Sequence, residues 1–221
     1  MLVTAVVPAV ILVFFGSVDV LPLASGRSVD FLLPGSLALG IVAASLVSLG
    51  IATAYERSYG VLKRLGGSPL TRANLLTAKI GAVLVVELLQ ASLLFAIAWL
   101  LLGWRPGPSA NPALLLAVMV LGTAAFAGLG LLLAGTLRAE ATLALANALF
   151  LATLLLGGVI VPVDQLPGAL NVLASLLPGA ALTEAFRIAL GAGGDALRPL
   201  AILTTWGIVA AAASTRIFRW E

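Results

Sequence analysis

The chain contains no cysteine and no histidine among its 221 residues. That absence removes disulfides, thiolate sites, zinc and haem ligation, and every Ser-His or Cys-His catalytic arrangement. Charge is also scarce, at 10% of residues. No G-x-x-x-x-G-K-[ST] stretch occurs, so the chain cannot cradle nucleotide phosphates by that route. Only Glu87 interrupts the middle of an apolar run, and no internal repeat is visible, which argues against an ion- or proton-coupled carrier. An intramembrane enzyme would need a nucleophile, a metal or an acid–base pair, and none stands out.

What is present is apolar. Hydrophobic residues make up 62% of the chain and mean hydropathy is +1.18, a composition that would cover a soluble domain with sticky patches. The sequence therefore reads as an all-α integral membrane protein, a single domain over 1–221. A span needs about 20 apolar residues to cross about 30 Å of hydrocarbon. Six segments are expected to cross: 2–18, 34–54, 77–102, 113–136, 142–161 and 199–215. The first is short and contains Pro8, so a signal peptide is its alternative. No basic stretch precedes it and no small-x-small cleavage site follows it, and it is read as a span.

Loop charge sets the expected orientation. Eight of the twelve Lys and Arg residues fall on one side: Arg57, Lys63, Arg64, Arg72, Lys79, Arg138, Arg216 and Arg219. The other side holds Arg27, Arg105, Arg187 and Arg198, accompanied by acidic residues. The positive-inside rule places the 55–79 loop and both termini in the cytoplasm. Trp99 and Trp104 then mark the outer boundary, and Tyr55, Tyr59 and Trp220 the inner one. The net charge of +3 is dispersed over short loops and points to lipid, not nucleic acid.

The 55–79 loop carries five of the twelve basic residues. At 100° per residue Tyr55, Tyr59, Leu62 and Leu65 share one face, with Glu56, Arg57, Lys63 and Arg64 opposite. "GGSP" breaks that helix, and Ser68 with Pro69 can start another that runs into the third span. A headgroup anchor is the plain reading, yet an anchor needs no second capped start.

This loop resembles the cytoplasmic loop of type-2 ATP-binding-cassette (ABC) permeases. Glu56, Arg57, Gly60, Leu62, Lys63, Arg64, Leu65, Pro69, Leu70, Thr71, Arg72 and Lys79 stand at the matching positions. The segment "GGVIVPVDQLPGALNVLASLLPGAALTEAFRIAL" is similar to the family's outer segment, with Pro162, Pro167, Pro178 and Arg187 in place. The resemblance implies a permease that pairs with a second permease subunit, as homo- or heterodimer, and with separate ABC ATPase subunits. The 55–79 loop would couple the ATPases to the spans. ATP and magnesium would then sit on the ATPase, with no cofactor on this chain. The family subgroup implies export of drugs or other lipophilic compounds across the cytoplasmic membrane. The family usually opens with a cytoplasmic amphipathic helix, whereas this sequence starts almost inside its first span.

Other residues are candidates on their own chemistry. The ten residues between Pro167 and Pro178 and the twelve of 179–190 are too short to span, so a re-entrant pair is expected. Glu184 and Arg187 lie three apart and can pair; the segment is either an outer gate or loop packing. Glu87 and Gln90 share a face of the third span, as a substrate contact or a structural tie. Asn147, Phe150 and Leu154 line one stripe of the fifth span. By family analogy the second and fifth spans wall the cavity, with ordinary helix packing as the alternative. Ser36, Gly40, Ala44, Ser48 and Ala52 form a small-residue stripe that suits close helix contact, within the subunit or at a dimer seam. A secondary transporter and a non-transporting scaffold remain the competing functions.

Overall fold

A computed structural model of the chain describes residues 2–17, 27–61 and 72–217. Every regular element in that range is helical. Runs of Leu, Ala and Val without polar interruption leave a backbone in lipid one solution, since only a helix satisfies all its N–H and C=O groups internally. The elements are α1 (Leu2–Ser17), α2 (Ser28–Ile41), a π-helical stretch (Val42–Ser48), α3 (Leu49–Ser58), α4 (Arg72–Leu100), α5 (Pro112–Thr136) and α6 (Ala139–Leu156). A 3-10 turn (Val163–Gln165), α7 (Gly168–Leu176), α8 (Pro178–Arg187), a π turn (Ile188–Ala192) and α9 (Leu197–Ile217) complete the chain.

Five helices among the described residues are long and apolar enough to cross a membrane. They match the second to sixth expected spans. α1, with 16 residues, extends about 24 Å at 1.5 Å per residue, less than a full crossing of about 30 Å. α7 and α8 form a bent pair, turned through 78° at their junction. Helical geometry is disfavoured for the residue before a proline, and Leu177 adopts φ −76°, ψ 142° ahead of Pro178. The segment expected to be re-entrant forms this elbow. Its corner lies beside Trp206, whose indole Nε1 donates to the Leu176 carbonyl at 3.1 Å, about 14 Å along α9 from its start.

Two boundaries differ from expectation. The second span starts at Ser28 and continues without a break to Ser58, 31 residues in all. The fifth stops at Leu156, five residues before the end of its apolar run. Gly157 and Gly158 end it: Gly158 takes φ +70°, the left-handed geometry that glycine allows at helix ends.

The long α2–α3 helix is the centre of the bundle. Of its most apolar 18 residues 78% are buried, against 28% in α4, 22% in α6 and 17% in α9. α5 packs against it and against α9 through small residues. A Cβ on Gly130 would sit 2.8 Å from the Ser45 carbonyl oxygen, and one on Gly128 2.9 Å from the Ala210 methyl. Such contacts let backbones touch in lipid, where no hydrophobic force draws helices together. α5 itself starts on a designed cap: Asn111 Oδ1 accepts from Ala113 N at 3.0 Å and Leu114 N at 3.1 Å, with Pro112 at the first position.

The small-residue stripe is spent inside the subunit. Ser36, Gly40 and Ala44 are buried; Gly40 faces the Gln90 side chain, 3.5 Å from where its Cβ would be. Ala44 packs in a cluster with Val83 of α4 and Ala127 and Leu131 of α5. Ser48 is half-buried and Ala52 exposed. The dimer-seam alternative for Gly40 and Ala44 is thereby corrected: α4 and α5 already occupy that face.

Candidate functional site

At the end of the bundle where α3, α4, α5 and α6 converge, the basic loop is anchored at its base. Lys79 Nζ, two turns into α4, forms an ion pair with Glu56 Oε2 near the end of α3 and lies 3.5 Å from Thr53 Oγ1. Arg57 turns the other way, donating from Nη2 to the carbonyl of Leu137 in the α5–α6 turn. The Tyr55 and Tyr59 ring centres lie 5.9 Å apart with the planes tilted by 34°, and Gly60 ends the helix with φ +70°. Of the expected loop residues, Leu62, Lys63, Arg64, Leu65 and Pro69 lie outside the described residues, and so does the start of the second loop helix. From Arg72 that helix runs unbroken into the span, as the sequence implied. Glu56 and Arg57 are therefore internal ties that hold both arms of the loop and the neighbouring turn.

In the bundle's interior Glu87 is 2% exposed. Its carboxylate accepts from Ser45 Oγ in the π-helical stretch and from Thr123 Oγ1 of α5. The Thr123 hydroxyl also lies 2.8 Å from the Met119 carbonyl. One side chain of α4 thus grips two other helices. Gln90 is buried beside it, and the free space between them is about 10 Å3, room for about one water. A buried carboxylate costs much to desolvate, and hydroxyl donors offset that cost. Sequence spacing placed Glu87 and Gln90 together; Ser45 and Thr123 were missed, because serine and threonine are common in spans and only tertiary packing selects these two.

The fifth-span stripe lies elsewhere. Asn147 is exposed on α6, its amide donating back to the Leu143 carbonyl at 2.8 Å. Phe150 and Leu154 are half-buried, Phe150 against the main core. None of the three lines the small space beside Glu87 and Gln90. An apolar cavity of about 160 Å3 opens instead on the next face of α6, between Leu149, Thr153, Phe126, Pro178 and Trp206.

The prolines of the outer segment act as stops. Pro162 precedes the 3-10 turn, Pro167 precedes α7, and Pro178 opens α8. Arg187 Nη1 and Glu184 Oε2 are 3.5 Å apart. Arg187 also donates to the Gly158 carbonyl at the end of α6 and lies 4.1 Å from the centre of the Phe31 ring on α2. A guanidinium over a ring contributes roughly 0.5–2 kcal/mol, so this residue ties α8 to α6 and α2. Phe31 and Gly158 carry no sequence signal of that role. At the same end Arg27 donates to the carbonyls of Leu102 and Gly103, and Arg105 stacks 4.4 Å over Trp99.

No curated protein gives a significant match to the chain. The model of the ABC-2 type transporter family matches residues 1–190, every element from α1 through α8, and the chain belongs to that family.

Proposed function

We propose that the chain is the membrane-spanning half of an ABC exporter that moves lipophilic or drug-like compounds across the cytoplasmic membrane. As an ABC-2 membrane domain it is a permease without an ATPase motif, so ATP is hydrolysed in a partner chain. The 55–79 loop is the contact with that ATPase, and its end of the bundle faces the cytoplasm together with both termini. Two copies, or this chain and a related permease, enclose the path.

The observation that carries this reading is the tie at the base of the loop. A loop that merely anchors in headgroups gains nothing from being fixed at both ends, whereas a lever must be stiff where it meets the helices it moves. The Glu56–Lys79 pair and the Arg57–Leu137 bond supply that stiffness, and α4 extends the stiff unit directly into a span. Glu87 then passes displacement of α4 to the π-helical stretch of the central helix and to α5 through Ser45 and Thr123. Glu184, Arg187 and the three prolines form the gate at the far end, and the exposed face of α6 with Asn147 faces the path.

A single cysteine at Ser68, with a cross-linker, tests the contact in membranes containing the neighbouring ATPase. Capture of the ATPase supports the permease reading; adducts to lipid alone would favour a scaffold without a motor.

A further inference from the structure

Between the two arms of the elbow and the start of α9 lies a cavity of about 500 Å3, within the range of small-molecule sites at roughly 300–1,000 Å3. Two carboxylates, Asp164 and Glu184, and two guanidiniums, Arg187 and Arg198, line it. Ala180, Ala181 and Ile202 provide an apolar wall. The charges balance two against two. A simple anion at the arginines would face the carboxylates at short range, and a simple cation would face the arginines. A ligand carrying both signs satisfies the whole set.

The site is partly built before a ligand enters. Arg187 is fixed by Gly158, Glu184 and Phe31, yet its buried Nε has no acceptor among the described residues. Arg198 and Asp164 are exposed at the mouth and form no salt bridge among the described residues.

Position selects the kind of molecule. Asn171 and Ser175 of α7 face this cavity, while Leu170, Leu173 and Leu176 are exposed on that helix. A charged mouth at the start of α9, from which a short helix with a bare leucine stripe descends to the corner beside Trp206, belongs at the boundary of hydrocarbon and headgroups. Ala180 borders both this cavity and the apolar one between α5, α6 and α9, so a polar chamber and an apolar chamber meet at the elbow.

We infer that this cavity is a headgroup site for a zwitterionic amphiphile. Its phosphate or carboxylate lies on Arg198 and Arg187, its ammonium on Asp164 and Glu184, and its chain against Ala180, Ala181 and Ile202. The inference deepens the export reading, on which it rests for the amphiphile's being cargo; occupancy of the site is measured without ATPase or transport.

The full chain is reconstituted in phosphatidylglycerol nanodiscs with a trace of photoactivatable phosphatidylethanolamine, or of photoactivatable phosphatidylglycerol as control. Adducts of the zwitterionic probe concentrate on peptides covering 163–202, at about fivefold or more over the anionic probe. Arg198→Gln and Asp164→Asn each lower that labelling by about three- to tenfold, with unchanged thermal melting because both side chains are exposed. Competition by soluble phosphoethanolamine identifies a free zwitterion as sufficient; its failure to compete identifies the lipid as the ligand. Equal labelling by both probes, adducts scattered over the apolar helix faces, or full labelling in both variants would overturn the site. These results do not depend on capture of an ATPase through Ser68, so the two readings fail separately.

Discussion

Lys79 reaches from the first turns of α4 to pair with Glu56 at the end of α3, closing the base of the loop that joins the first two long spans. The two are 23 residues apart in sequence, and side chains of 17% and 35% exposure keep the pair partly out of water. Such a pair stabilises by about 1 kcal/mol or less, so its value lies in geometry more than in folding energy.

Breaking it should separate coupling from stability. Glu56→Gln or Lys79→Met is expected to shift melting by no more than that small energy, while transport per ATP hydrolysed falls several-fold in the reconstituted complex. The charge-swapped pair, Glu56→Lys with Lys79→Glu, should recover part of the loss. A swap no better than either single variant would assign the effect to something other than the pair.

Glu87→Ala removes the acceptor of two buried hydroxyls. Thr123 can turn to the Met119 carbonyl, but leaving Ser45 without its acceptor costs about 1–3 kcal/mol, and Glu87→Gln, which still accepts, costs less. A double-mutant cycle with Ser45→Ala, followed by melting in detergent, measures the coupling. Strictly additive effects would show that the Ser45 contact carries no energy.

Bulk at the contacts of the central helix should damage the subunit before it damages any dimer. Gly40→Leu drives into Gln90, and Gly130→Leu into the Ser45 and Leu46 backbone, with overpacking costs of about 1–3 kcal/mol or more. Lowered melting of the monomer is the expected outcome. A lower dimer fraction with unaltered melting would restore the seam reading for this face.

Topology around the elbow is open to chemical labelling. Asn171→Cys and Asp195→Cys should both react with an impermeant thiol reagent from outside, the outcome expected of a bent pair that enters and leaves on one side. Asn171 donates to the Val163 carbonyl at 2.7 Å, so Asn171→Cys also loosens the turn before α7. Reaction of either position only from the cytoplasmic face would require the bent pair to be a full crossing.

Much of this fold was legible because hydrocarbon leaves a chain few choices. An apolar run of 25 residues becomes a helix whatever its detailed order, and α5 appears within one residue of its expected start. The end of α6 was not legible in the same way: "GGVIV" continues the apolar run, and hydropathy does not register that Gly158 adopts a positive φ. The π-helical stretch has no composition of its own. Loop residues Glu56, Arg57 and Lys79 could be placed by motif, but not the inward pairing that joins them, which depends on where α3 and α4 cross. The meeting of Asp164 and Arg198 was not legible for a similar reason. They are far apart in sequence, and only the elbow brings them to one cavity.

The π-helical stretch gives the central helix a discontinuity of phase. Each such widened turn accommodates about one residue more than an α-turn, so the faces above and below it are out of step. The upper half can present Phe31 to Arg187 while the lower half presents Glu56 to Lys79. Deleting one residue between Val42 and Ser48 would remove that surplus and let the stretch close into ordinary α-helix with both halves still aligned. Deleting one residue from a regular turn, if not absorbed there, would turn one half relative to the other by about 100° and break one of those two contacts. Along this helix, residue count is as strict a constraint as residue identity.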